Sequence, residues 1–244
     1  MRLLLKSFAF LAGAVALVLL GVFCWLYFYS RDLPDVKAVA QYAPTTVTQV
    51  SDPCVGTSIA IPYEAIGENL RNAIRTAEAN ENDPGALSDL FHGDFRDKPL
   101  HRASLPVVVS RSLFCSPSKM LKRHFDELRT GIQLDRHYSR QQLLTIFANR
   151  VYLGPNLRGI RQGAEFYFHK NPSELTVSEA ALLVAIVKAP AVCSPSKHPD
   201  RALRRRNEVI DAMVESGTVT VVDAQAAKAA PLGVVASAST TAAQ

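Results

Sequence analysis

From Ser7 to Tyr29 the chain carries no charged residue, and Leu, Val, Ala and Phe dominate the stretch. As a helix, such a run is about long enough to cross a bilayer core of roughly 30 Å. No small-x-small cleavage site follows it; the run closes on bulky Trp25-Leu26-Tyr27-Phe28-Tyr29, which argues against a cleaved signal peptide. The large Phe23 before Cys24 argues equally against a lipoprotein cleavage box. The sequence also lacks internal repeats of solenoid length, the room for two large domains in its 244 residues, and any His, Cys, Asp and Glu cluster of metal-ligand spacing. Cysteine is sparse. Cys54, Cys115 and Cys193 follow the apolar run, an odd number. Cys115 and Cys193 each begin a Cys-Ser-Pro-Ser-Lys pentapeptide, so a disulfide between them is one reading; buried free thiols are the preferred one.

What is present fits an anchored, exported domain. Arg2 and Lys6 precede the apolar run, which places the N-terminus in the cytoplasm and everything after Ser30 outside. Trp25, Tyr27 and Tyr29 suit the headgroup level. The formal net charge is +5, with much of the excess in Lys119 to Arg140 and Lys197 to Arg206. A basic surface in that setting suits anionic lipid headgroups or a pyrophosphate-bearing substrate, and an exported domain is not expected to meet nucleic acid.

Residues 31–60 read as a linker with two short strands, punctuated by Pro34, Pro44 and Pro53. Thereafter the pattern is helical. Leu70, Ala73, Ile74 and Ala77 mark one apolar face, and 80–100 reads as a long loop. A helix is expected from about Pro117 to Leu134, capped by Ser116 or Ser118, and another after Ser139, where Gln142 completes a capping box. The chain must turn at Gly154-Pro155-Asn156, and helical signals return through Gly159 to Phe168. Thr176-Val177-Ser178-Glu179 opens an apolar helix to Val187, and Leu203 to Val214 makes a basic amphipathic one. The Ala/Thr/Ser-rich tail after Ala224 has little to bury and reads as frayed or disordered.

Ser139-Arg-Gln-Gln-Leu-Leu-Thr-Ile-Phe-Ala-Asn-Arg-Val-Tyr-Leu-Gly154 resembles the fourth motif of the peptidoglycan glycosyltransferases (transglycosylases of family 51), SKxxILExYLNxxYxG. Tyr167-Phe168-His169-Lys170 with Glu174-Leu175-Thr176 and Glu179-Ala180-Ala181-Leu182-Leu183 is similar to the fifth, YFGKxxxxLTxxEAALL. Lys188-Ala189-Pro190, Ser194-Pro195 and Arg205-Arg206-Asn207-Glu208-Val209 resemble the exit and the RRNxVL helix that follow, and Leu33 to Val36 with Ile61 to Glu78 resembles the lead-in to the first motif. The resemblance covers roughly residues 31–216 and identifies the chain as a divergent member of this family, the transglycosylase domain of penicillin-binding proteins.

That resemblance implies a mostly α fold: an anchor over 1–30, a β-containing linker over 31–60, a lysozyme-like glycosyltransferase domain over 61–216, and a tail over 217–244. It implies a single-pass protein of the bacterial cytoplasmic membrane, with lipid II, nascent peptidoglycan and cell-wall synthesis proteins as partners. It brings no cofactor with certainty; a divalent metal, Mg or Mn, comes by analogy alone. The chain stops where bifunctional relatives continue into a transpeptidase, so no penicillin-reactive serine is expected.

Carried over position by position, Glu78 stands for the general base of EDxxFxxHxG and Glu127 for the second carboxylate of RKxxE, with Arg123 and His124 in that motif and Lys122 beside it. Ser104 is the one hydroxyl kept from GSTITQQ, and Asn149 is kept from the fourth motif. The departures are as plain. Both glutamines of GSTITQQ are Val107 and Val108, its second threonine is Pro106, and the Glu of the fourth motif is Thr145. Valine cannot hydrogen-bond a phosphate or a sugar. Two readings stand side by side: an inverting glycosyltransferase that polymerises lipid II with release of undecaprenyl pyrophosphate, and an inactive homologue that binds lipid II or a cell-wall synthesis partner.

Overall fold

The computed structural model describes residues 2–29, 35–52, 54, 56–78, 104–114, 120–154, 156–188, 190 and 193–235, without the side chains of 2–11, 26–29, 78, 120–122, 124, 125 and 188. The chain divides into two units, Met1–Pro34 and Asp35–Gln244.

The first unit is α1 (Arg2–Tyr29), 28 residues long. Its described side chains, 12–25, are uncharged and all exposed. Among the described residues, no helix is long and apolar enough to cross a membrane. The expected span from Ser7 to Tyr29 lies partly outside those side chains.

The second unit is mostly helical. Eight helices follow among the described residues: α2 (Glu68–Glu78), α3 (Leu105–Leu113), α4 (Met120–His137), α5 (Arg140–Arg150), α6 (Ile160–Phe168), α7 (Val177–Lys188), α8 (Pro199–Glu215) and α9 (Val221–Ala229). At its centre lies α7. Ala180 to Ile186 are all buried because the segment is apolar on every side, which suits a helix enclosed by others. Helices α2 and α8 pack on it, α9 packs on α8, and α3 packs on α4 and α5. Both capping boxes form: the Ser139 hydroxyl accepts from the Gln142 N–H while the Gln142 side chain accepts from the Ser139 N–H, and Thr176 and Glu179 exchange the same pair. The helix expected from Pro117 begins at Met120 among the described residues; Ser116, Ser118 and the loop over 80–100 lie outside them.

Two strands, β1 (Thr48–Asp52) and β2 (Gly56–Ala60), form an antiparallel hairpin with Thr48 opposite Ala60 and Asp52 opposite Gly56. Alternation turns Val50, Asp52, Ser58 and Ala60 inward. A second small hairpin, β3 (Tyr152–Gly154) and β4 (Leu157–Arg158), makes the turn expected at Gly154-Pro155-Asn156. Val39, Tyr42, Val50 and Ala60 join the same hydrophobic core as α2 and α7, so the stretch read as a linker is built into the domain.

Two readings change. The tail is not frayed where it is described: α9 crosses Val221–Ala229 and buries Ala224 and Ala227. It is held by Arg206, fully buried, whose guanidinium donates to the carbonyls of Lys228, Ala230 and Pro231 and to the Ser178 hydroxyl. Burial holds that guanidinium below its usual value. Cys54 is disulfide-bonded rather than a free thiol, while Cys24 and Cys193 are free. Cys193 is therefore in no bridge with Cys115, which lies outside the described residues.

Candidate functional site

Helices α3 and α4 gather opposed charges from two elements onto a buried carboxylate, Glu127. Their close approach is set by Gly131 in α4: a Cβ there would stand 3.0 Å from Val107 Cγ2 and 3.3 Å from the Val107 backbone. This contact lays the last turn of α3 beside the middle of α4. Glu127 is 2% exposed, and an isolated carboxylate so placed would be several kcal/mol unfavourable. Arg123, one helical turn earlier, donates from Nε to Glu127 Oε1 at 2.6 Å. Arg111, from α3, donates from Nε to Oε2 at 2.9 Å. Both oxygens are thus engaged by charge-assisted bonds.

This geometry changes what Glu127 can do. A carboxylate with each oxygen held by a guanidinium is a good clamp. It fixes two arginines whose side chains remain 44% exposed. Both pairings use Nε, which leaves the terminal Nη groups uninvolved in them, a planar fork suited to phosphate oxygens. Arg111 was not singled out from the sequence. The available signal was a lone charged residue in the run Leu105–Leu113, flanked by Ser110 and Ser112.

The remaining expected site residues fall elsewhere. Glu78 is the last residue of α2, and its side chain lies outside the described ones, as do those of Lys122 and His124. Ser104 sits at the N-cap position of α3, 1% exposed, without a side-chain cap bond. Val107 and Val108 are buried, so α3 offers an apolar face where the family motif has glutamines.

Asn149, kept from the fourth motif, is bonded within the fold: Nδ2 donates to the carbonyls of Tyr42 and Ile61 at 2.9 and 2.8 Å, and Oδ1 accepts from the Ile61 N–H at 2.9 Å. Both amide protons are committed. Thr145, buried, donates to the Gln141 carbonyl at 2.8 Å.

Next to Asn149 is a residue the sequence did not reveal. Arg150 is 1% exposed, pairs with Asp52, stacks 4.8 Å over the Tyr42 ring, and donates from Nη2 to the Ser112 carbonyl at 2.9 Å. It therefore ties β1, the 3-10 turn Lys37–Tyr42 and the C-terminus of α3 to α5. Arg158 reaches the same Ser112 carbonyl at 3.4 Å; burial first, and then the Arg150 charge, hold its guanidinium below the usual value. The arginine that meets Glu127, at 111, is the neighbour of that anchored carbonyl.

For a divalent ion the described residues do not fit. No group of three or more His, Cys, Asp or Glu among them could hold a metal, and both Glu127 oxygens are engaged by arginines.

Residues 106–214 match the family model described as Transglycosylase. The chain is 29% identical over 224 residues to penicillin-binding protein 1A of Aquifex aeolicus, covering 85% of this chain and 31% of that protein. It is 28% identical over 253 residues to penicillin-binding protein 1A of Rickettsia bellii (93% and 32%), and 35% identical over 131 residues to penicillin-binding protein 1F of Bacillus subtilis (54% and 18%). A crystal structure of penicillin-binding protein 1A from Haemophilus influenzae is 22% identical and covers 54% of this chain and 16% of its own, with a TM-score of 0.37. The chain spans about a third of the length of the first two relatives.

Proposed function

We propose that this chain, which carries a transglycosylase domain homologous to those of penicillin-binding proteins 1A at about 28% identity, binds lipid II through its pyrophosphate and polymerises it into glycan strands. The observation that carries the reading is the Arg111–Glu127–Arg123 clamp. A leaving pyrophosphate needs fixed positive charge, and guanidiniums held by a buried carboxylate supply it without reorganising as the bond breaks. Glu127 then works as the holder of that charge. The proton of the acceptor sugar hydroxyl falls to Glu78, whose place at the end of α2 leaves it on an element other than the clamp. The acceptor oxygen attacks the anomeric carbon, the bond to undecaprenyl pyrophosphate breaks, and the leaving group carries away the electron pair. In this reading α1 holds the domain at the outer face of the bacterial cytoplasmic membrane, where the substrate's lipid tail resides, and the domain is lysozyme-like.

A second reading has its own support. The buried Val107 and Val108 leave α3 without the amides that the family motif places there, which favours a homologue that binds lipid II, or a cell-wall synthesis partner, without turning it over.

One experiment separates them: the full-length protein in detergent, given labelled lipid II, with glycan polymer and bound lipid measured together, beside Glu78→Gln and an Arg111→Ala/Arg123→Ala double variant. A known transglycosylase runs in parallel. Polymer that disappears in Glu78→Gln establishes the enzyme. Binding without polymer, lost in the arginine variant, establishes the inactive binder. Lipid II that binds neither the parent nor the variants would sink both.

A further inference from the structure

Arg158, on β4, is a half-buried cation that the fold does not neutralise. Asp52, the carboxylate whose charge it feels, is taken by Arg150, so two cations share one anion. Burial and the Arg150 charge both work against this guanidinium, and among the described residues it enters no ion pair that would offset them. Its structural duty is slight. Nη1 reaches the Ser112 and Arg150 carbonyls at 3.4 and 3.5 Å, the long end of hydrogen-bonding distance. The Ser112 carbonyl already accepts from Arg150 Nη2 at 2.9 Å. Among the described residues, Nε and Nη2 of Arg158 enter no hydrogen bond. The Nε–Nη2 edge of the planar fork is therefore unspent, and that edge can meet a phosphate with two parallel bonds. The exposed Tyr152 ring, 5.4 Å from the guanidinium carbon, supports the fork in one orientation. Ser112 directly follows Arg111, so Arg158 meets α3 one residue from the clamp.

We propose that Arg158 is an oxyanion-binding residue for a phosphate group of the substrate, additional to the Arg111–Glu127–Arg123 clamp and outside the motifs that carry the family resemblance. The identity of the ligand rests on the reading of the chain as a lipid II binder; the site itself rests on the unspent fork. An incoming oxyanion supplies the negative charge that Asp52 gives to Arg150 instead, and it meets the Nε–Nη2 edge with charge-assisted bonds. Neither Nη1 contact has to break for it to bind. A pyrophosphate and a phospholipid headgroup both offer such an oxyanion. The pyrophosphate is the favoured source, because Arg158 meets α3 next to a residue of the clamp.

The full-length protein in detergent is treated with phenylglyoxal, which modifies accessible guanidiniums, and modification is read by mass at each arginine. Parallel samples contain inorganic pyrophosphate, sulfate at matched ionic strength, or mixed micelles of phosphatidylglycerol. Arg206, fully buried, reports any general opening of the domain. The expected result is that Arg158 reacts in the free protein and at least about tenfold more slowly under saturating pyrophosphate, while sulfate and the micelles protect it little and Arg206 stays silent. Arg111 and Arg123 are read in the same digest, which keeps the two readings apart. Protection of those two without Arg158 overturns this proposal and leaves the clamp standing; protection of Arg158 without them upholds it and removes the clamp. Arg158→Gln should weaken pyrophosphate binding by about tenfold at an unchanged melting temperature, and Arg158→Lys by less. Labelling of the parent protein alone decides the matter if those variants do not fold. An Arg158 that is silent in the free protein, that labels equally with and without pyrophosphate, or that sulfate or the micelles protect as well, overturns the proposal.

Discussion

His169 closes α6 in the left-handed region, at φ 52°, where its N–H reaches back to the carbonyls of Ala164 and Glu165. A β-carbon is unfavourable there, and the family motif YFGK has glycine at the position. His169→Gly should therefore stabilise the domain by about 0.5–1 kcal/mol, seen as a higher urea midpoint at unchanged slope. The pair that His169 makes with Glu165, 3.7 Å apart with both side chains more than half exposed, is too weak to reverse the sign. Asn149→Ala should act in the other direction, by about 3 kcal/mol, because it strands the Ile61 N–H and two carbonyls in the core. Asn149 was legible as a motif residue, but its partners were not. They lie 88 and 107 positions away, and nothing local to the fourth motif names them. Arg150 was hidden for the same reason. An arginine in the last turn of a helix reads as surface until Asp52, Tyr42 and the end of α3 are found around it.

At the scale of elements the sequence was most informative where a rule is local. The Ser139 and Thr176 capping boxes need only four consecutive residues, and both form. Glu179 in the second box also binds Lys170 Nζ at 2.7 Å. Burial works to raise its carboxyl, but the Lys170 and Thr176 contacts outweigh it, and the group ends below its ordinary 4.5. A carboxyl lowered by folding contributes stability above its unfolded value and loses it as pH falls through the folded one. Glu179→Gln should thus destabilise the protein at neutral pH by about 1–2 kcal/mol, and the gap to the parent should shrink in acid below the ordinary carboxylate range. Thermal melts of both proteins across pH check this; a gap independent of pH would contradict it. Helix α9 went unread because its case is not local. Ala224 and Ala227 bury little by themselves, and what fixes the segment is the Arg206 fork on the carbonyls beyond it.

For the whole molecule, helix content and the order of the family motifs were visible in advance, whereas the extent of the domain was not. The core takes residues from Val36 to Ala227, so neither flank of the 61–216 stretch is dispensable. Removing 217–244 should leave the buried Arg206 without most of its acceptors and cost about 3–5 kcal/mol, measured as a loss of urea midpoint. The arginine clamp was half legible: Arg123 and Glu127 share one helix and one motif, while Arg111 arrives through the packing of α3.

The Asn149 clasp also sets a clock during synthesis. Ile61 leaves the ribosome 88 residues before the side chain that will satisfy its N–H and its carbonyl. At about 5–20 residues per second that is a wait of roughly 4–18 s. Throughout it the β1–β2 hairpin and the lead-in to α2 have no α5 to pack against, and their apolar faces stand open to whatever escorts the growing chain. The N-terminal third of this domain is therefore made first, yet its buried polar groups stay open until α5 has followed.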